Sequence, residues 1–283
     1  GAAPCVRATG AAPGAAPGVP AGAPAGAAIR IPLFLAQALS VAFYVVGFTE
    51  SVNIFLSTWG WQLGVGSGKL LSSCVLIALC ALSARSAALA IKAQYFVMAA
   101  IALSLVAIFT GGGDSPPAEI QWAGTGDASF SVVFAVFFPA VTGILAGLGL
   151  SGDLKEPSRS IPRGVTVSVL IGLVVYLAVP VVLANSADAE TLRSNPMIWT
   201  EITWAPLVMG GLWGAILSSA IGSILAAPRT LQALAEDNLV PTVLGKVDEK
   251  NGEPMVALWL SGAVALCAVL LGDLTAVAGV VTM

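Results

Sequence analysis

Histidine is absent from the 283 residues. Its absence removes Ser–His triads, imidazole acid–base chemistry and nearly all zinc sites. Charge is almost as scarce, at 10% of residues against about 25% in an ordinary soluble domain. So few charges do not keep a globule of this size dispersed, so a water-soluble protein is excluded. Twelve Lys+Arg against 15 Asp+Glu give a net charge of -3, which leaves no basic footprint for nucleic acid. The four cysteines (Cys5, Cys74, Cys80, Cys267) form no CxxC, and three lie in apolar stretches. They read as small buried hydrophobes rather than a disulfide or metal framework.

What the chain has instead is apolar length. Hydrophobic residues make up 57% and mean hydropathy is +0.93. Charges bracket long uncharged windows at 31–49, 70–84, 93–113, 128–152, 164–187, 202–228 and 254–272. Each comes close to the roughly 20 residues that cross a hydrocarbon core. The pattern predicts an all-α polytopic membrane protein with seven spans, and an eighth beginning at Leu274. Residues 1–30 form a separate tail. Of the first 28 residues, 23 are Ala, Gly or Pro. Their prolines oppose a helix, and no basic segment with a continuous apolar run marks a signal peptide. The tail is expected to be disordered, with the membrane domain at 31–283.

Alternating sides at each span sorts the basic residues. One side carries Arg30, Arg85, Lys92, Lys155, Arg159, Arg163, Arg229, Lys246 and Lys250, and the other Lys69 and Arg193. The rich side is cytoplasmic by the positive-inside rule, which puts loops 85–92, 151–163 and 229–253 inside a multi-pass protein of the cell membrane. Trp59, Trp61, Trp122, Trp199 and Trp204 fall near span ends on the outer side, as an interfacial belt requires. Within the last inner segment, Arg229 to Leu239 puts Leu231, Leu234 and Ala235 on one face. That pattern predicts a short helix beneath the bundle.

Three segments carry candidate chemistry. In 128–163 the apolar run is interrupted by Pro139, Gly143, Gly147 and Gly149. Pro139 lacks an N–H and clashes with the preceding turn, which frees carbonyls before it and amides after Thr142. In lipid such a break survives only inside protein or along a wet cavity. The freed carbonyls suit a cation, and the amides of Gly143, Ile144 and Leu145 suit an anion at a half-helix N-terminus. A Pro-kinked packing helix accounts for the same residues. The small-residue run from Gly210 to Ser223 fits close helix packing, while Ser218 and Ser219 could offer oxygens to a hard cation. In the first span, Tyr44 sits at mid-depth and its hydroxyl needs a partner. Glu50 lies about one turn inside the outer end, where a charge costs less than the ~2.5–3.5 kcal/mol of the bilayer centre. It is a candidate outer gate, with no evident basic partner in the sequence.

The runs AFYVVGFTE (42–50), FAVFFPAVTGILAGLGLSGDLKEPSRSIPRG (134–164) and LSSAIGSILAAPRTLQALAEDNLVP (217–241) together resemble the cation–chloride cotransporter family of the amino acid–polyamine–organocation superfamily, in a bacterial-type member. IKAQ (91–94) and NGEP (251–254) fit the intervening regions. The resemblance implies an inverted five-plus-five repeat fold, of which this chain matches spans three to nine and the start of ten. On that reading the chain is a fragment, without the first broken span that completes the family's ion sites. The resemblance implies a potassium site at Tyr44, Pro139 and Thr142, and a chloride site at Gly143, Ile144 and Leu145. It implies a sodium site at Ala215, Ser218 and Ser219. The implied activity is electrically balanced symport of chloride with sodium, potassium or both by alternating access, without a cofactor and without nucleic acid. Its partners are the transported inorganic ions and the lipid bilayer, and a homodimer is compatible with it. The alternative is an amino acid permease of the same superfamily, in which the break holds a substrate carboxylate. An intramembrane enzyme is disfavoured by the missing histidine and by the lack of a buried carboxylate pair.

Overall fold

A computed structural model describes residues 23–85, 87–111, 129–131, 134, 156–187, 189–195, 198–248 and 253–271. The described residues fold into helices α1 (Ala23–Ser57), α2 (Val65–Arg85), α3 (Ala87–Thr110), α4 (Pro157–Ser186), α5 (Ala189–Ser194), α6 (Trp199–Ile202), α7 (Ala205–Glu236) and α8 (Met255–Leu271), with a 3-10 turn at Thr242–Gly245. Five of them, α1 to α4 and α7, are long and apolar enough to cross a membrane, and α8 is a shorter apolar helix. These six account for six of the seven uncharged windows. Most of window 128–152, and the span expected from Leu274, lie outside the described residues.

Helix α3 begins at Ala87, so most of the loop expected at 85–92 is helical, and three other boundaries differ from the sequence expectation. Helix α1 begins at Ala23, inside the segment expected as a tail to residue 30. Pro24 falls in its first turn, where a missing N–H breaks no helical bond. Helix α4 begins at Pro157 rather than after Arg163, so the second half of the expected loop 151–163 is helical. Pro157 opens it at N1, the one helical position that proline favours. The third correction concerns Arg229 to Leu239, which is no separate helix. Helix α7 runs unbroken for 32 residues through Pro228 and Arg229 to Glu236. At 1.5 Å per residue it is about 48 Å long, well beyond a hydrocarbon core of about 30 Å. Arg229 does not end it, because the guanidinium is neutralised by Glu253 at 3.2 Å, with only 19% and 12% of the two side chains exposed.

Helix α7 is the centre of the bundle, packed chiefly against α1 and α3, with α8 and α2 completing the group. The α1–α7 pair is antiparallel, and polar contacts fix its register at three depths. At the inner end Arg30 of α1 pairs with Asp237, just past the end of α7. Further in, the buried Thr230 hydroxyl donates to Gln37 Oε1 at 2.8 Å. Near the outer end Trp213 Nε1 donates to Ser51 Oγ at 3.1 Å. Between these contacts the seam is apolar, with Val41, Ala42 and Val45 meeting a cluster that includes Ala220, Ile221 and Ile224. The inner ends of α1 and α7 thus meet where the charge tally placed the cytoplasm.

The end of α7 shows local sequence control. Asn238 has φ +57°, the left-handed conformation that closes a helix. The Leu239 N–H donates to the Leu234 carbonyl at 3.0 Å and the Asn238 N–H to that of Ala235 at 3.1 Å. Leu239 also packs on the cluster that holds Leu234, which completes a Schellman turn. Asparagine tolerates this backbone, whereas a β-branched residue does not. Asn238→Val should destabilise by about 1–2 kcal/mol, and Asn238→Gly should leave the melting temperature unchanged or slightly raised. Equal melting temperatures for the valine and glycine variants in detergent would refute the assignment.

Helix α4 makes few contacts among the described residues. Its main contacts among the described residues are with α3 and α5, and Ser186 is its only buried residue.

Candidate functional site

The candidate sodium residues Ala215, Ser218 and Ser219 sit at i, i+3 and i+4 on α7 and so share one side of the helix. A Cβ on Gly211 would lie 2.2 Å from Ser104 Oγ of α3, and one on Gly214 would lie 3.2 Å from Val97. These two glycines are spent on close helix packing, as small residues at membrane helix interfaces are. Ser218, at i+4 from Gly214 and i+7 from Gly211, falls on this same side of α7, and Ser219 lies beside it. Ala215 and Ser218 are half-buried, and Ser219 is exposed among the described residues. The Ser219 hydroxyl donates to the Ala215 carbonyl at 3.0 Å. Its proton is therefore turned back into the helix and its lone pairs face outward, which is the orientation a cation ligand needs.

Tyr44 lies on the face of α1 turned toward α7. Gln37, Tyr44, Phe48, Ser51 and Phe55 recur at helical spacing, and four of these five have contacts that fix the direction. Gln37 accepts from Thr230, Ser51 accepts from Trp213, and the rings of Phe48 and Phe55 stand edge-on to Trp213 with centroids 6.1 and 5.6 Å away. The antiparallel register places Tyr44 level with the turn Ala220–Ser223. It is half-buried, packs against the α1–α7 cluster, and has the Phe43 ring edge-on at 5.8 Å. At about 100° per residue, Ser218 and Ser219 lie on the far side of α7 from Trp213, and hence from α1. The structure does not bring Tyr44 and the serine pair into one site. The other candidates, Pro139, Thr142, Gly143, Ile144 and Leu145, lie outside the described residues.

Glu50 is exposed near the outer end of α1, where a cleft of about 200 Å³ opens between α1, α2 and the turn joining them. Here the structure supplies what sequence reading missed. Lys69, the first basic residue beyond Glu50, lines the same cleft. Its ammonium donates to the Leu270 carbonyl of α8 at 2.8 Å, which ties α2 to α8. The floor of the cleft is polar but self-satisfied. Ser72 Oγ donates to Thr49 Oγ1 at 2.8 Å, and Thr49 donates to the Val45 carbonyl at 3.1 Å. The Glu50–Lys69 relation joins residues on two helices across a turn, so no local pattern could have announced it.

The outer aromatic belt is present in part. Trp59 and Trp61 are each 74% exposed, flanking Gly60 at φ +79°, and Trp204 is also exposed. Trp199 departs from the expectation, since its indole nitrogen is buried, and Trp122 lies outside the described residues. The cysteines also divide. Cys80 is buried beneath α8, where a Cβ on Gly262 would lie 2.9 Å from its sulfur, while Cys74 and Cys267 are exposed free thiols rather than core residues. Trp213 and Ser51 were not singled out in the sequence. The spacing of Phe48, Ser51 and Phe55 on one face of α1, with a tryptophan at mid-run in α7, is the signal that could have found them.

The chain matches the amino acid permease family over residues 26–283. It is 28% identical over 308 residues to solute carrier family 12 member 2 of Danio rerio, covering 87% of this chain and 27% of the relative. It is 30% identical over 265 residues to solute carrier family 12 member 8 of Mus musculus, covering 87% and 37% respectively. A bumetanide-sensitive sodium-(potassium)-chloride cotransporter of Manduca sexta is 26% identical over 315 residues, covering 90% and 30%. The chain thus spans between 27% and 37% of the length of these relatives.

Proposed function

The chain belongs to the amino acid permease family and is a multi-pass protein of the cell membrane, and from that premise we propose that it serves secondary active symport of chloride with sodium, potassium or both. The observation that carries the reading is the Ala215–Ser218–Ser219 side of α7. It offers serine oxygens in an uncharged span, with the Ser219 hydroxyl proton turned back onto the Ala215 carbonyl. The likeness to a sodium-(potassium)-chloride cotransporter supports this choice of ions.

The roles follow from the chemistry of each group. Ala215, Ser218 and Ser219 hold sodium, with the two serine hydroxyls as the oxygens. Tyr44, Pro139 and Thr142 hold potassium through hydroxyls and carbonyls freed at the helix break. Gly143, Ile144 and Leu145 hold chloride with backbone amides at a half-helix N-terminus. Moving ions of opposite sign together lowers the cost of carrying either through a low dielectric. Glu50 stands at the outer mouth as the gating carboxylate, with Lys69 on the wall of the same cleft. On this reading the protein is a transporter and not an enzyme.

Labelled chloride and rubidium uptake into proteoliposomes tests the proposal. Chloride uptake should require sodium, potassium or both on the same side, and it should proceed without net charge movement. Chloride uptake indifferent to both cations would overturn it. The family's description favours a second reading, amino acid transport with the break holding a substrate carboxylate. Amino acid counterflow without ion-coupled chloride flux would establish that reading instead.

A further inference from the structure

We propose that Trp213 and Ser51 form a positioning pair that sets the rotation of α7 about its own axis, and through it the direction in which Ser218 and Ser219 point. The inference rests on the reading of Ala215, Ser218 and Ser219 as sodium ligands. Trp213 lies two residues before Ala215 and on the opposite side of the helix. Its indole N–H donates to Ser51 Oγ at 3.1 Å, and the Ser51 hydroxyl in turn donates to the Phe48 carbonyl at 2.7 Å. The Ser51 hydroxyl thus has its one donor and one of its two acceptor positions engaged, and a shift of its oxygen would break one of these bonds. Phe48 and Phe55 close on the indole edge-on from either side, with centroids 6.1 and 5.6 Å away, so the ring has a fixed tilt as well as a fixed hydrogen bond.

On the other side of α7, Gly211 and Gly214 press against Ser104 and Val97 of α3. The glycines set how closely α7 approaches α3, but a contact without a side chain resists rotation weakly. The tryptophan supplies the directional element. A serine oxygen about 4 Å from the helix axis moves by about 1.4 Å when the helix turns through about 20°. Such a displacement takes an oxygen out of the distance range in which it ligates a small cation. Trp213 contacts neither candidate serine, so it acts on the cation through the orientation of α7 alone.

The test is transport by the protein in proteoliposomes, with half-saturating sodium, half-saturating chloride and maximal flux measured separately. Trp213→Phe keeps a ring between Phe48 and Phe55 but removes the N–H. It should raise half-saturating sodium about fivefold, with half-saturating chloride and maximal flux within about twofold of the parent. Ser51→Ala should do the same, and the double variant should be no worse than either single one. Ser51→Thr retains the acceptor and should restore sodium affinity. Melting temperature in detergent is followed for each, so that a folding defect is recognised as such. Equal losses for sodium and chloride, or a fall in flux alone, would overturn the positioning role and leave the transport reading intact. A parent protein whose flux ignores sodium would overturn the sodium reading, and this inference with it.

Discussion

Gly211→Ala should keep α7 from seating on α3 and cost about 2–3 kcal/mol, near the top of the usual range for overpacking. The added methyl would lie 2.2 Å from Ser104 Oγ, 2.4 Å from Ser104 Cβ and 3.2 Å from the Ala100 carbonyl. A flexible side chain could swing away, but a Cβ and a backbone carbonyl move only with their helix. The approach is close at the outer end too, where a Cβ built on Gly111, just past α3, would lie 2.9 Å from the Ile202 carbonyl. Gly210 is the control. A Cβ there meets nothing within 4 Å, so Gly210→Ala should be neutral or mildly stabilising through helix propensity. Ser104→Gly should recover part of the Gly211→Ala loss. The readout is melting temperature and the yield of monodisperse protein in detergent. Parent-like values for Gly211→Ala would mean that α3 and α7 do not meet at this face.

On the proposed assignment of Ser218 as a sodium ligand, Ser218→Ala should raise half-saturating sodium by about tenfold to a hundredfold. The basis is the loss of one oxygen to a charged partner, worth about 1.5–3 kcal/mol. Ser218 is half-buried on the side of α7 away from Trp213, so its removal leaves the α1 seam untouched. The fold should be little affected, because alanine at a small-residue position adds no volume and favours the helix. Chloride affinity measured in potassium without sodium should stay within about twofold. Sodium dependence of labelled chloride and rubidium flux that is unchanged in Ser218→Ala would sink the assignment of this residue.

The membrane architecture was legible because it is written in charge. Arg30, Glu50, Lys69, Arg85 and Lys92 mark the ends of hydrocarbon windows, and the helices fall on those windows. Charge marks where lipid ends, however, and not where a helix ends. Arg229 looked like the close of a span and the start of a separate element. It is interior to one helix, because Glu253 follows in space though not in sequence. Pro24 and Pro157 both fall in first turns, since proline disrupts the middle of a helix but opens its first turn readily. The candidate site was legible only as segments. Gly211, Ala215, Ser218 and Gly222 form one stripe in the sequence, and nothing local says which helix that stripe meets. The Ser51–Trp213 bond and the shared cleft of Glu50 and Lys69 are tertiary relations, beyond the reach of any periodicity.

The three polar ties between α1 and α7 have a mechanical consequence. A helix can slip past a neighbour in steps of one turn, about 5.4 Å, when its side chains interlock only by shape. Here a single step would part Arg30 from Asp237, Gln37 from Thr230 and Ser51 from Trp213 at the same moment, and would strand the buried pair between them in a dry seam. The pair therefore behaves as a stator. The motions of the proposed transport cycle would then be made against α1 and α7.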